Sequence, residues 1–175
     1  ATIYAEATLA QKTRVKDKDG NLVNTAELRT FFEYRGAIFQ TTTDSELIAY
    51  AIAQERLRCA SAEEAVCRAV KGLRGAFSLL VMSPQKLIAV RDPWGFRPLC
   101  MGRRGDAVIF ASESCALHAV GAQFERELDP GEIVVVEGTQ VRSIRENCQG
   151  SSSHMCIFEY IYFARPDLSL IHISE

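Results

Sequence analysis

The sequence predicts an α+β fold in which helices are layered on antiparallel sheets. Two observations carry this. Between residues 24 and 75 helix-start signals recur with apolar residues at helical spacing, and after Gly75 the apolar period shortens to that of extended chain. Helices followed by a long run of strands exclude a repeating βαβ pattern and leave a layered α+β domain.

Asn24 reads as the N-cap of a first helix with Glu27 three residues on; Leu28, Phe31 and Phe32 form its stripe and Gly36 stops it. Residues 37–42 read as a strand. Thr43 and Glu46 then have the spacing of a capping box for a second helix, whose buried face is Leu47, Ile48, Ala51 and Ile52. Ser61 and Glu64 repeat the device for a third, with Val66, Ala69, Val70 and Leu73 inward and Gly75 past its end.

Residues 76–82 and 87–91 are apolar strands joined by Ser83-Pro84-Gln85, and Asp92-Pro93-Trp94-Gly95 is a turn with Pro at its second position. Strands at 98–101 and 108–111 flank a turn at 103–106, continuing what reads as a β-meander. A short helix over 112–120 and a hairpin of 133–136 with 141–144 complete it. The polar, Ser-rich residues 147–154 read as a connector, and 157–164 as an aromatic run that begins something new.

A chain of 175 residues, 47% hydrophobic, can bury one good core, with room for the edge of a second domain. Its formal net charge of -2, with both signs interspersed, gives no footprint for nucleic acid or an anionic membrane. No apolar run approaches the ~20 residues of a bilayer span. A cytoplasmic location is the expectation. Cys59, Cys67, Cys100, Cys115, Cys148 and Cys156 show no CxxC spacing, and His118, His154 and His172 are isolated. Neither a metal site nor a disulfide framework is indicated, and most of these thiols read as small buried hydrophobes.

Four segments in order carry a resemblance: Gly20-Asn21-Leu22-Val23-Asn24, Thr43-Asp44-Ser45-Glu46, residues 91–99 (RDPWGFRPL) and residues 156–167 (CIFEYIYFARPD). Together they resemble the glutaminase half of the amidophosphoribosyltransferases, which make phosphoribosylamine in the first step of purine synthesis. The resemblance implies a four-layer αββα sandwich of the N-terminal-nucleophile hydrolase type, incomplete at its N-terminus in this chain. It implies release of ammonia from glutamine by an N-terminal Cys, and use of that ammonia on phosphoribosyl pyrophosphate by a second domain with magnesium. It divides the chain into a poorly matching segment 1–18, a partial glutaminase domain 19–146, a linker 147–155, and the start of a truncated transferase-side segment 156–175. A full-length protein of this kind is expected to be a homo-oligomer.

By the same resemblance, the backbone N–H of Gly20 helps to form an oxyanion hole, Asn21 lines the glutamine pocket, and Asp44 holds the substrate's α-ammonium. An ammonium needs an ionised acceptor and a developing oxyanion needs fixed donors, so the residue types suit the roles. Asp19 stands where the family pattern His-Asn-Gly-Asn has a side-chain N–H donor. A carboxylate cannot donate, and losing such a donor costs about 3 kcal/mol in the transition state. The sequence begins with Ala1 and its first cysteine is Cys59, so the chain as written is expected to release no ammonia, and Asp19→Asn alone to restore nothing. Cys156 matches a position that in some members helps to hold an iron–sulfur cluster, although a lone Cys holds none. The residues 91–99 are expected to be structural, with Asp92 and Pro93 shaping a corner, Trp94 packing, and the two Arg pairing with carboxylates. Two alternatives stay open: a catalytically silent module of the same fold that binds glutamine or a partner subunit, and the glutaminase of a sibling amidotransferase. Residues 91–99 and 156–167 argue against the sibling.

Overall fold

In the computed structural model the residues described are 25–73, 75–146 and 148. Three helices come first: α1 Thr25–Glu33, α2 Asp44–Arg56 and α3 Ala62–Lys71. Strands β1 Ser78–Met82, β2 Lys86–Arg91, β3 Cys100–Arg104 and β4 Ala107–Ala111 follow, then α4 Ser114–Ala119, β5 Gln123–Glu127, β6 Ile133–Glu137 and β7 Gln140–Ile144.

The strands form two antiparallel sheets, ordered β1-β2-β6-β7 and β4-β3-β5. This corrects the meander: β2 pairs with β6, Ile88 opposite Val135, and β3 pairs with β5 across a bulge at Met101/Gly102. Local pattern cannot reveal a partner 47 residues away, as Val135 is from Ile88.

Three clusters of buried side chains define four layers. Ile48 and Ile52 of α2 and Val66 and Val70 of α3 meet Leu79, Ile88, Val90, Ile133 and Val135 on one face of the first sheet. The opposite face gives Ala89, Val134 and Val136 to Leu99, Met101, Phe110 and Leu128 of the second sheet's side. Leu117 of α4 packs on Cys100 and Ala122 beyond that sheet. The order is helix, sheet, sheet, helix, the αββα sandwich of the N-terminal-nucleophile hydrolase type. Because β2 and β6 are covered on both faces they read as unbroken apolar runs, and burying each such side chain contributes roughly 1.5–3 kcal/mol.

The helix starts are physically different from one another. Ser61 caps α3, its hydroxyl accepting from the Glu64 N–H at 3.2 Å. Ser61→Ala should cost about 1 kcal/mol, seen as a lower urea midpoint with unchanged slope. Thr43 is the N-cap of α2, in extended conformation, but its side chain makes no capping bond. The expected box is therefore incomplete: Glu46 reaches past Thr43 to the N–H groups of Gln40 and Thr41, both at 2.8 Å. The strand expected over 37–42 is also absent. The donors a strand would offer to a neighbour are taken by that carboxylate, and Ile38 is 78% exposed.

The crossing from the first sheet to the second turns on Asp92, which is fully buried. Its carboxylate accepts from the N–H groups of Trp94 (2.9 Å), Phe96 (3.2 Å) and Arg97 (3.1 Å), and its carbonyl from Gly95 (3.0 Å) and Gly131 (2.9 Å). Gly95 has φ 66, and a Cβ there would meet Pro130 Cγ at 2.8 Å. Buried Arg91 donates to the carbonyls of Gly95, Arg97 and Leu128 and pairs with Glu127 at 3.3 Å. Asp92 and Gly95 shape the corner and Arg91 pairs with a carboxylate as expected, whereas Trp94 is 47% exposed and does not pack into the core.

The return crossing carries a second buried acid. Glu132 has no exposed surface; Arg126 donates to both its oxygens at 2.8 Å, joined by the Asp129 N–H at 2.7 Å and the Ser143 hydroxyl. At the bulge, a Cβ on Gly102 would stand 2.6 Å from the Gln123 carbonyl, so β3 and β5 approach too closely there for any side chain.

Candidate functional site around Asp44

Asp44 is the first residue of α2, with Glu46 in the same turn. Carboxylates are favoured there because the unpaired N–H groups of a helix start are electropositive. Buried Leu47, Ile48 and Ile52 hold the helix down, leaving its first turn at the surface of the domain. Asp44 is half-buried, and its carboxylate makes no hydrogen bond or ion pair to any other described residue. That leaves it able to accept a cation.

The loop 37–43 that delivers Asp44 is fastened from two sides. From α1, Arg29 donates to the carbonyls of Thr41 (2.8 Å) and Thr43 (3.4 Å) and lies over the Phe39 ring at 4.2 Å. From α2, Glu46 accepts from Gln40 N–H, Thr41 N–H and the Thr41 hydroxyl, the last at 2.7 Å. The Tyr50 hydroxyl donates to the Ile38 carbonyl at 2.7 Å, and its ring meets Phe39 edge-on with centroids 4.8 Å apart. The Gln40 N–H, the Thr41 hydroxyl and N–H, and more distantly Arg29, hold the Glu46 carboxyl below its usual value against a small opposing effect of burial.

Of the residues expected at the site, Asp44 alone is described. Asp19, Gly20, Asn21 and Cys156 lie outside the described residues. Arg29 and Tyr50 escaped sequence reasoning because their hydrogen bonds span roughly a dozen residues and end on backbone carbonyls, and Phe39 because its partners are the side chains of those two residues, leaving no spacing to read. A cleft of about 390 Å³ between the helices, lined by Leu28, Phe32, Ala51 and Leu73 among others, does not include Asp44.

Metal chemistry finds no fit in the described part of the chain: no three His, Cys, Asp or Glu side chains converge there into a group able to hold an ion. No disulfide joins any two of the described cysteines. Burial, and then the charge of Glu146, pushes the Cys67 thiol up; burial and then Glu132 do the same to Cys148, so neither is an activated thiolate. No helix among the described residues is long and apolar enough to cross a membrane.

Residues 9–119 match the model of a glutamine amidotransferase domain. An amidophosphoribosyltransferase of Methanocaldococcus jannaschii is 41% identical over 170 residues, covering 89% of this chain and 36% of the relative. A chloroplastic amidophosphoribosyltransferase of Arabidopsis thaliana is 45% identical over 150 residues, covering 85% of this chain and 28% of that one. Among solved structures, a glutamine phosphoribosylpyrophosphate amidotransferase from B. subtilis in complex with ADP and GMP superposes with a TM-score of 0.79 at 33% identity, over 95% of this chain and 33% of that one. The chain therefore spans about a third of the length of the relatives it matches.

Proposed function

Because the chain belongs to the glutamine amidotransferase domain family, we propose that it is the glutamine-binding part of an amidophosphoribosyltransferase, with Asp44 accepting the α-ammonium group of glutamine. The observation that carries the reading is the half-buried carboxylate at the start of α2, held on a fastened loop and unengaged by other described residues. Gly20 is assigned the oxyanion N–H and Asn21 the pocket wall. Asp19 occupies a position that calls for a side-chain donor, and its carboxylate works against a developing negative charge. Ammonia released from glutamine would pass to phosphoribosyl pyrophosphate on a further domain of the intact protein. Magnesium, and any cluster that uses Cys156, would belong with that domain. The intact enzyme is proposed to be a cytoplasmic homo-oligomer.

Calorimetric titration of the 175-residue chain with glutamine tests the core of this. A hydrogen bond between charged groups contributes about 1.5–3 kcal/mol, so Asp44→Asn should weaken glutamine binding by about 10- to 100-fold without changing the fold. Binding within twofold of the parent would overturn the assignment. In the intact protein, pyrophosphate release should require both glutamine and phosphoribosyl pyrophosphate.

A further inference from the structure

We propose that Glu46 and Arg29 are positioning residues for substrate recognition, clamping the loop 37–43 from both sides so that Asp44 meets an α-ammonium group in one fixed geometry. The inference rests on the reading of Asp44 given above. It deepens that reading by naming the groups through which selectivity for an α-amino substrate is set.

The clamp has a distinctive construction. Glu46 places both its oxygens on three donors of the preceding loop: Gln40 N–H, Thr41 N–H and the Thr41 hydroxyl. Arg29 engages the carbonyls of Thr41 and Thr43 on the same stretch. Thr41 is thus gripped through its N–H and hydroxyl by α2 and through its carbonyl by α1. The Thr43 carbonyl, which Arg29 holds, belongs to the peptide unit leading into Asp44.

Stability alone does not call for this arrangement. Helix α2 is already anchored by Leu47, Ile48 and Ile52, at 2%, 0% and 4% exposure. Residues 40–43 are exposed and would otherwise bond to water, as surface loops do. What the clamp adds is precision, since a charged acceptor discriminates between ligands only when its geometry is fixed to about 0.5 Å. Glu46 and Arg29 themselves spend their hydrogen bonds on the loop, so their effect on a ligand passes through Asp44.

The test uses two ligands on the 175-residue chain: glutamine, and glutaramic acid, which is glutamine without its α-amine. The ratio of their dissociation constants isolates recognition of the ammonium. The parent chain should prefer glutamine by at least about tenfold, and Asp44→Asn should abolish that preference. Glu46→Gln and Arg29→Lys, each cutting one arm of the clamp, should lower the preference at least about threefold while glutaramic acid binds within about twofold of the parent. If Glu46→Gln does not fold, Arg29→Lys carries the test.

An unchanged preference in both clamp variants, with Asp44→Asn abolishing it, overturns this inference and leaves the Asp44 reading standing. Equal weakening toward both ligands with a lowered melting temperature makes the clamp merely structural and also overturns it. Preference retained in Asp44→Asn, or no glutamine binding by the parent, overturns the Asp44 reading and this inference with it.

Discussion

Asp92→Ala is expected to lower the unfolding free energy by about 3–5 kcal/mol, the largest effect of any single side-chain truncation in the corner between the sheets. The substitution takes an acceptor from three backbone N–H groups at once, those of Trp94, Phe96 and Arg97. Each such loss costs about 1–3 kcal/mol when the donor is buried. Trp94 and Phe96 are 47% and 37% exposed, so water relieves part of the loss and the sum falls below the maximum. Asp92→Asn retains an acceptor oxygen but turns an amide N–H toward donors, and should cost about half as much. Urea unfolding of the three proteins checks this. A fall of less than about 1 kcal/mol for the alanine variant would mean the corner is held by Arg91 and its carbonyl partners instead.

Glu132→Gln should cost about 3 kcal/mol and also change the pH dependence of stability. Burial raises the Glu132 carboxyl pKa, but the Arg126 fork, the Ser143 hydroxyl and the Asp129 N–H outweigh it and hold the group below its ordinary value. A carboxyl depressed in the folded state contributes stability fully above its unfolded pKa, about 4.3, and loses it as pH falls through the lower folded value. The parent should therefore lose stability steeply below about pH 4.5, and the Gln variant should lack that part of the acid limb. Arg126 is 33% exposed on its side chain and can turn toward water once its partner is neutral, which keeps the cost at the low end for a broken buried pair. Parallel acid limbs in the two proteins would assign the pH dependence to other carboxylates.

How much of this was legible in the sequence depends on how far each signal reaches. Caps and turns act over a few residues, so Ser61 with Glu64, Ser83-Pro84-Gln85 and the Asp92 turn were readable, as were the inward faces of α2 and α3. The pairing of β2 with β6 was not, because it joins residues on either side of a whole second sheet. Strand β5 escaped notice because Gln123-Phe124-Glu125-Arg126-Glu127 has one apolar residue, itself 40% exposed. Residues 37–42 carry enough apolar and β-branched residues to look like a strand, yet a side chain satisfies their donors where a neighbouring strand was expected. At the site, the spacing of Thr43 and Glu46 correctly marked the start of α2, whereas the target of Glu46 depended on a chain path that spacing does not encode. Asp44 itself was singled out by resemblance, since an Asp opening a helix is by itself unremarkable chemistry.

Residues 92–132 leave the first sheet at β2 and re-enter it at the adjacent strand β6, where the Arg91 N–H meets the Glu132 carbonyl at 3.1 Å. The second sheet with α4 is thus an excursion closed at a narrow neck. The entropy of closing a loop grows only logarithmically, by about 0.6 kcal/mol for each doubling of its length. Provided the neck is kept, added residues at the far turn, Gly105-Asp106, should scarcely register in the first sheet and the helices that present Asp44. The fold can therefore vary at one end while the helices around Asp44 stay fixed.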